Sequence, residues 1–333
     1  MKIQTLQGIR ALATIGVFLF HSGFLLQGTF PVTLFFMLSG FVMYYTKHDL
    51  DYYSSYREWI VKYVLKKIKA FYPLHLLTFI IAIFIGGFLK KEITREVITS
   101  GILNLLLVHP FVEKYSLTYN GLSWFLAVTI FLYFAGYFII KIIDKTRMDI
   151  KVLIAIVWII MALLNGYNRL GGDLYLYCNP MYRVWDFTLG MLLAKFYLTE
   201  KKELKYATLY EASIVTVFVI QYVLSLLVGE APGYYSVIFS VALVVFAYGQ
   251  GVVSKLLCGE GLNKIAENSF EFYMFHELML RVFRKVFGNI ELSYLLKCTV
   301  IAIPALVCTV GLVIAYKRIR LYANKKGYLK LFI

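Results

Sequence analysis

The chain has 333 residues, of which 60% are hydrophobic and only 16% are charged, and its formal net charge is +15. A soluble domain of this length has fewer apolar and more charged residues, so the composition excludes a water-soluble globule and indicates an integral membrane protein. No folded nucleic-acid-binding module is recognisable that could present the positive charge, so we expect no nucleic-acid partner and attribute this charge to loops that face anionic lipid.

Ten apolar segments are long enough, or nearly so, to cross a hydrocarbon core of about 30 Å, which predicts an all-α polytopic membrane protein. We place these spans at residues 6–26, 31–46, 71–89, 122–143, 151–165, 181–198, 209–228, 233–250, 269–287 and 293–316. An eleventh apolar segment, 97–112, is short and ends at a His-Pro pair, so we predict a partly buried or interfacial helix there.

The distribution of positive charge predicts the orientation. If the N-terminus lies inside, about two thirds of the 34 Lys and Arg residues fall in inner loops. We therefore expect both termini in the cytoplasm, an even number of spans and a single domain over residues 1–333, without a soluble appended domain, in the inner cell membrane. No clear internal repeat is visible, which disfavours an inverted-repeat transporter.

The first apolar segment carries Arg10 and His21, two residues that are costly in lipid. They are eleven positions apart, or about three helical turns, so both lie on one face and about 16 Å apart along the axis. A neutral imidazole at His21 can take a proton from a hydroxyl group. The alternatives are a histidine that only packs and an Arg10 that extends to the headgroups. In the second segment, Ser39-Gly40 permits close approach of a helix or ligand.

The loop at residues 47–70 combines basic residues with Tyr and Trp, a pattern that predicts an amphipathic helix. One interpretation is an anchor on the inner membrane surface. Another is a cationic entrance for a phosphorylated cytosolic ligand. The two interpretations are compatible.

Further ionisable residues fall within predicted spans. Arg183 and Asp186 are three positions apart, and Glu277 and Arg281 four, so each pair can form an ion pair along a helix. His276 in the ninth segment is interpreted as a packing residue rather than a reactive one.

Other chemistry has little support in the sequence. Trp124 is interpreted as an interface or core aromatic residue. The four cysteines have no CxxC or other metal-ligand spacing, and no nucleotide-binding or zinc-protease motif occurs, so we expect no metal. Apart from Lys141, Lys151, Lys195 and Lys285, which lie near the ends of spans and are counted with the loops, the basic residues within the predicted spans are Arg10, Arg183, Arg281, Arg284 and Lys297.

Six blocks, in this order, resemble conserved blocks of the acyltransferase-3 family of membrane acyltransferases. They are LQGIRALATIGVFLFH, TLFFMLSGFV, KKIKAFYPLHLL, LSWFLAVTIFLYF, MYRVWDFTLGMLLA and SFEFYMFHELML. Together they extend from residue 6 to about residue 280. The chain departs from the family pattern at Gln7, where Asp is frequent, at Ala70, where Arg precedes the Tyr-Pro pair, and at Thr129, where Glu is usual.

The resemblance implies a bundle of ten helices that transfers an acyl group, most often acetyl from cytosolic acetyl-CoA, to a sugar hydroxyl of a surface polysaccharide or glycolipid. It implies that His21 is the catalytic histidine, with Arg10 as its partner and Asp186 in the acidic position of the sixth helix. The residues that would bind the acetyl-CoA co-substrate are Lys66, Lys67, Lys69, Tyr72 and Arg183. Further candidate site residues are Ser39, Trp124, His276 and Glu277.

Two other functions remain open at this point. A glycan or lipid-linked sugar transporter would also use many helices and buried charges, and a transferase for succinyl or another acyl group would use the same residues with a different donor pocket. An inactive membrane scaffold leaves Arg10 and His21 unexplained. The expected partners are the glycan acceptor, membrane lipid and proteins of glycan synthesis.

Overall fold

A computed structural model describes residues 3–86, 92, 94–170, 175–200, 203–230 and 233–325 of the chain. Within these residues every regular element is helical and no strand occurs. The α-helices are α1 (Gln4–His21), α2 (Thr29–Lys47), α3 (Tyr56–Trp59), α4 (Leu65–Ile85), α5 (Arg95–Leu105), α6 (Ser123–Lys145), α7 (Ile150–Arg169), α8 (Pro180–Thr199), α9 (Ala207–Val228), α10 (Ser236–Tyr248), α11 (Val252–Leu257), α12 (Glu260–Glu267), α13 (Ser269–Phe287) and α14 (Tyr294–Lys325).

Each of the ten predicted segments coincides with one of these helices, although residues 87–89 of the third segment lie outside the described residues. The six described helices that are long and apolar enough to cross a membrane are Thr29–Lys47, Tyr56–Ile85, Ser123–Lys145, Ile150–Asn168, Ala207–Val228 and Tyr294–Ala323. The all-helical class is therefore confirmed, while the count of ten spans and the cytoplasmic termini stay predictions. The segment at 97–112 forms α5 followed by a short 3-10 turn, His109–Phe111.

The predicted amphipathic helix at 47–70 is wrong in its bounds. The helix begins only at Tyr56, where the Ser55 side chain accepts a hydrogen bond from the Glu58 N–H group and caps the first turn. A π-helical turn then occupies Ile60–Val64, and the Leu65 N–H group bonds to the Ile60 carbonyl, five residues back. Lys62 pairs with Glu58, one turn earlier, on this stretch of helix.

The described chain divides into two compact units. The first comprises Met1–Val17, Leu26–Ser54 and Phe131–Glu267. In it, α2 packs along α8, and two glycines allow the backbones to touch. A Cβ atom at Gly40 would overlap the carbonyl oxygen of Phe187, and one at Gly190 would overlap that of Met37. This confirms the close helix approach predicted at Ser39-Gly40. At Gly40, no residue larger than glycine fits without a shift of the backbone.

The second unit comprises Phe18–Leu25, Ser55–Ile130 and Asn268–Ile333. Its central element is α13, which packs against α4 and α14. The rings of Phe71 and Phe270 are 4.5 Å apart near the starts of α4 and α13, and Lys285 bonds to the carbonyl of Ile85 near their ends, so these two helices run in the same direction. Glu271 faces Lys317 on α14, and Leu280 packs against residues near the start of α14, so that helix runs the opposite way.

Candidate functional site

The position of His21 follows from how α1 ends. Gly23 has a φ of +88°, the left-handed conformation that glycine adopts without steric cost. The Phe24 N–H group bonds to the Leu19 carbonyl at 2.9 Å, and the Gly23 N–H group bonds to the Phe20 carbonyl at 3.0 Å. This pair of bonds is a Schellman motif. The helix therefore stops at His21 rather than at residue 26 as predicted, and the half-buried imidazole occupies the last helical position.

The partner of His21 is His276 on α13. Nδ1 of His21 lies 2.9 Å from Nε2 of His276, and the two ring planes are within 18° of parallel. Nδ1 of the fully buried His276 lies 2.9 Å from the Tyr273 carbonyl and 3.2 Å from the Phe272 carbonyl. Carbonyl oxygens only accept, so this nitrogen carries the hydrogen, and Nε2 of a neutral His276 must accept one from His21.

This arrangement fixes the tautomer of the first histidine. If Nδ1 of His21 donates to His276, then Nε2 of a neutral His21 carries a lone pair and can accept a proton. The interpretation of His276 as a packing residue is therefore incomplete: its ring does stack on Phe272, at 5.6 Å between centroids, but it also orients His21.

A charged cluster holds the backbone of His21. Arg284 donates one hydrogen bond to the His21 carbonyl, one of the carbonyls at a helix end that lack a partner within the helix. Arg284 also pairs with Oε1 of Glu277 at 3.1 Å, and Arg281 pairs with the same oxygen at 3.2 Å. The predicted Glu277–Arg281 ion pair is thus confirmed. Arg281 extends further to the Tyr119 carbonyl, at 2.7 Å, which ties α13 to the chain before α6.

A cavity of about 420 Å³ opens beside His21, a size within the range of small-molecule sites. Its lining is contributed by the end of α1, the end of α13 and the start of α14. The lining residues are Phe20, His21, Ser22, Gly23, Arg284, Gly288, Tyr294, Lys297, Cys298 and Ile301. A substrate hydroxyl in this cavity would be close to the histidine that can accept its proton.

The basic residues of α4 lie toward the opposite end of α13 from this cavity. Because α4 and α13 run in the same direction, Lys67, one turn before Phe71, is about 15 Å from the level of His276 along the helix axes. Lys66 and Lys69 are exposed, and Lys67 lies over the rings of Tyr63 and Phe71, at 5.8 and 6.0 Å.

Tyr72 has a different environment from the one expected of a ligand-binding hydroxyl. Its hydroxyl donates to the Leu105 carbonyl at 3.1 Å, which joins α4 to α5. The assignment of Tyr72 to the co-substrate stays a prediction.

Four further predicted site residues belong to the first unit. Arg183 and Asp186 form the predicted ion pair, at 2.7 Å, and both side chains are fully buried. Arg183 also donates to the Tyr177 carbonyl at 2.8 Å and lies over the Phe36 ring. Arg10 is half-buried on α1, and Ser39 is half-buried on α2. The roles of these residues in catalysis or donor binding stay predictions.

A second polar cluster, which the sequence analysis did not identify, surrounds Asn104 in the second unit. His75 lies 3.0 Å from the Asn104 carbonyl, and Ser123 lies 3.2 Å from Nε2 of His109. All four side chains are fully buried, and the adjacent Trp124 is buried too. Outside the membrane-spanning helices, burial lowers the pKa of His109 to about 3. Through these hydrogen bonds the cluster joins α4, α5 and α6.

Helical composition and a histidine pair beside a cavity define this protein as a helical membrane protein with a site suited to proton transfer. Comparison with known families gives the class: the family model for the acyltransferase domain matches residues 3–317, nearly the whole chain. The chain therefore belongs to the acyltransferase-3 family, which confirms the resemblance found in the sequence. No curated protein and no solved structure matches it.

Several features of the site were not identified from the sequence. The bond between His276 and His21 joins residues 255 positions apart, and nothing local in the sequence indicates it. Lys297 and Cys298 line the cavity because α14 packs antiparallel to α13, and the sequence does not show this packing. The sequence did contain one indication, since a lysine inside an apolar span often marks a site. Among the described residues, no group of three or more His, Cys, Asp or Glu could hold a metal ion.

Proposed function

We propose that this protein is a membrane O-acyltransferase that moves an acetyl group from acetyl-CoA to a sugar hydroxyl of a cell-surface polysaccharide or glycolipid. Membership of the acyltransferase-3 family supports the acyl transfer. The observation that carries the proposed chemistry is the bond from His21 to His276 beside the cavity, because it leaves a basic nitrogen on His21.

In the proposed reaction, Nε2 of His21 accepts the proton of the acceptor hydroxyl as its oxygen attacks the thioester carbonyl. The new C–O bond forms a tetrahedral intermediate, and its collapse breaks the C–S bond. The protonated His21 then gives its proton to the departing CoA sulfur, so the products are the acetyl ester and free CoA. Throughout, Nδ1 of His21 donates to His276, and this bond is stronger while His21 is charged.

His276 acts as a positioning residue in this scheme because it contacts His21 rather than the reacting atoms. The last turn of α1 helps as well, since its carbonyl ends carry partial negative charge that favours a cation at His21. Arg284 uses the His21 carbonyl and Glu277 to hold this turn against α13.

The donor is proposed to approach from the end of α4 that carries Lys66 and Lys67, as the family resemblance implies. The separation of about 15 Å between Lys67 and the level of the histidine pair suits a ligand whose phosphates and reactive thioester lie far apart. Phosphate groups would pair with the exposed lysines. Arg10 and Asp186 remain family-based candidates for supporting roles.

The test is release of free CoA from acetyl-CoA by the purified chain in nanodiscs, with and without a surface-glycan extract. We expect acceptor-stimulated release in the wild type and a loss of at least about 100-fold in His21→Ala, the scale of general-base catalysis. His48→Ala is the matched control, since His48 lies at the end of α2 and outside the site; it should retain wild-type release. Equal release by His21→Ala and wild type would refute the role of His21. No release by any variant, with no CoA binding, would favour the transporter.

A further inference from the structure

The cavity beside His21 is lined by positively charged side chains. Two cationic side chains, Arg284 and Lys297, line it together with His21, and its lining contains no Asp or Glu among the described residues. Glu277, the nearest acid on α13, is directed to Arg281 and Arg284. Glu291 is exposed in the connection between α13 and α14 and does not line the cavity. The cavity therefore presents net positive charge next to the proposed base.

Of these two cations, Lys297 is the one that indicates a charged ligand. Arg284 is held by Glu277 and the His21 carbonyl, whereas Lys297 is a half-buried residue whose ammonium group has no hydrogen-bond or ion-pair partner in the described part of the chain. A cation within an apolar helix is costly unless it faces a polar cavity or an opposite charge. Lys297 also lies in the first turn of α14, where the helix dipole disfavours positive charge and attracts anions.

Both costs are removed by a negatively charged ligand in the cavity. Such a group would meet Lys297, the first N–H groups of α14, which have no partner within the helix, and the remaining donors of Arg284. Tyr294 fixes the start of this helix, because its hydroxyl donates to the Gly23 carbonyl at 2.8 Å. The anionic group and the reacting hydroxyl would then occupy one cavity of about 420 Å³.

We propose that the cavity selects an acidic acceptor: a sugar that carries a carboxylate or phosphate close to the hydroxyl that is acylated. This inference rests on the proposed acyl transfer and adds the class of acceptor. The anionic group pairs with Lys297 while the hydroxyl faces Nε2 of His21. A neutral sugar of the same shape would leave Lys297 uncompensated and bind more weakly.

Cys298 provides a test that does not depend on turnover, because this thiol lines the same cavity. The full chain in phosphatidylcholine nanodiscs is treated with a small neutral thiol reagent, and modification of Cys298 is followed by peptide mass spectrometry. Methyl glucopyranosiduronate and methyl glucopyranoside, which differ in one carboxylate, are added as protecting ligands. The measurement is the concentration of each sugar that halves the labelling rate.

We expect the uronate to protect Cys298 at a concentration at least tenfold lower than the neutral glycoside. Lys297→Met, which keeps the length of the side chain, should bring this ratio close to one, and Lys297→Arg should restore most of it. Lys255→Met, at an exposed lysine of α11, is the matched control and should keep the wild-type ratio.

Four results with the added ligands and variants would overturn the proposal, and a fifth concerns lipid. They are a Cys298 that does not react at all, equal protection by the two sugars, an unchanged ratio in Lys297→Met, and charge-dependent protection by acetyl-CoA in place of the sugar. Protection by phosphatidylglycerol without added sugar would assign the cations to a lipid headgroup instead and would also overturn it. Because the readout is binding, failure of the acidic-acceptor proposal is separate from failure of His21-dependent CoA release.

Discussion

Replacing His276 tests whether the histidine pair has a catalytic purpose. In His276→Phe, the ring volume is kept within a shell that already contains Phe18 and Phe272. The acceptor for Nδ1–H of His21 is lost, so the imidazole can rotate and can adopt the other tautomer. We therefore expect acyl transfer to slow although the fold is retained.

The magnitude follows from the bond that is removed. A hydrogen bond to a group that becomes charged contributes about 1.5–3 kcal/mol. Since each 1.36 kcal/mol in the barrier changes the rate about tenfold, kcat should fall by about 10- to 150-fold. The KM values for acetyl-CoA and acceptor should change little, because His276 is fully buried and does not line the cavity.

The assay is steady-state CoA release at saturating donor, with acceptor varied. His276→Gln is the rescue variant, because its terminal carbonyl can accept from His21 near the position of the lost Nε2 atom. We expect kcat of His276→Gln to exceed that of His276→Phe by about tenfold. The reasoning is refuted if folded His276→Phe keeps kcat within about threefold of wild type, or if both substitutions raise KM and leave kcat unchanged.

Three further predictions concern packing, donor binding and pH. Gly40→Ala should destabilise the protein by about 2 kcal/mol or more, because its Cβ atom overlaps a backbone carbonyl, whereas Gly311→Ala, where nothing lies within 4 Å, should be neutral or stabilising; thermal unfolding in detergent compares them. Lys66→Ala combined with Lys67→Ala should raise the KM for acetyl-CoA and leave the acceptor KM unchanged. If the KM for acetyl-CoA does not change, these lysines serve as a membrane anchor and do not bind the donor. The lowered pKa of His109 means that the unfolded chain binds more protons between about pH 6.5 and 3, so stability should fall as the pH decreases through that range. His109→Gln, which keeps an acceptor for Ser123, should flatten this dependence, and an unchanged slope in denaturant titrations would contradict it.

The fold was predictable where the signal is local. Apolar runs place all ten predicted segments on helices, and the i,i+3 and i,i+4 spacings gave the Arg183–Asp186 and Glu277–Arg281 ion pairs. These features depend only on hydrophobicity and helical periodicity.

The rest depends on contacts that periodicity does not encode. The π-helical turn at Ile60–Val64 adds a residue to one turn, so Lys62 and Lys66 do not share the stripe that an uninterrupted α-helix would give them. The end of α1 depends on a left-handed Gly23, and the sequence does not distinguish that glycine from those inside helices. The histidine pair requires the last turn of α1 and α13 to meet in one particular register.

The reciprocal glycines of α2 and α8 also restrict how this part of the protein can vary and move. Gly40 meets the backbone of one helix and Gly190 meets the backbone of the other, so neither glycine faces a side chain that could become smaller to accommodate a replacement. A larger residue at one position therefore has no compensating second-site substitution at the other. Sliding of one helix along its neighbour would bring Cβ atoms against those carbonyls, so α2 and α8 should move as one body during any substrate-dependent motion.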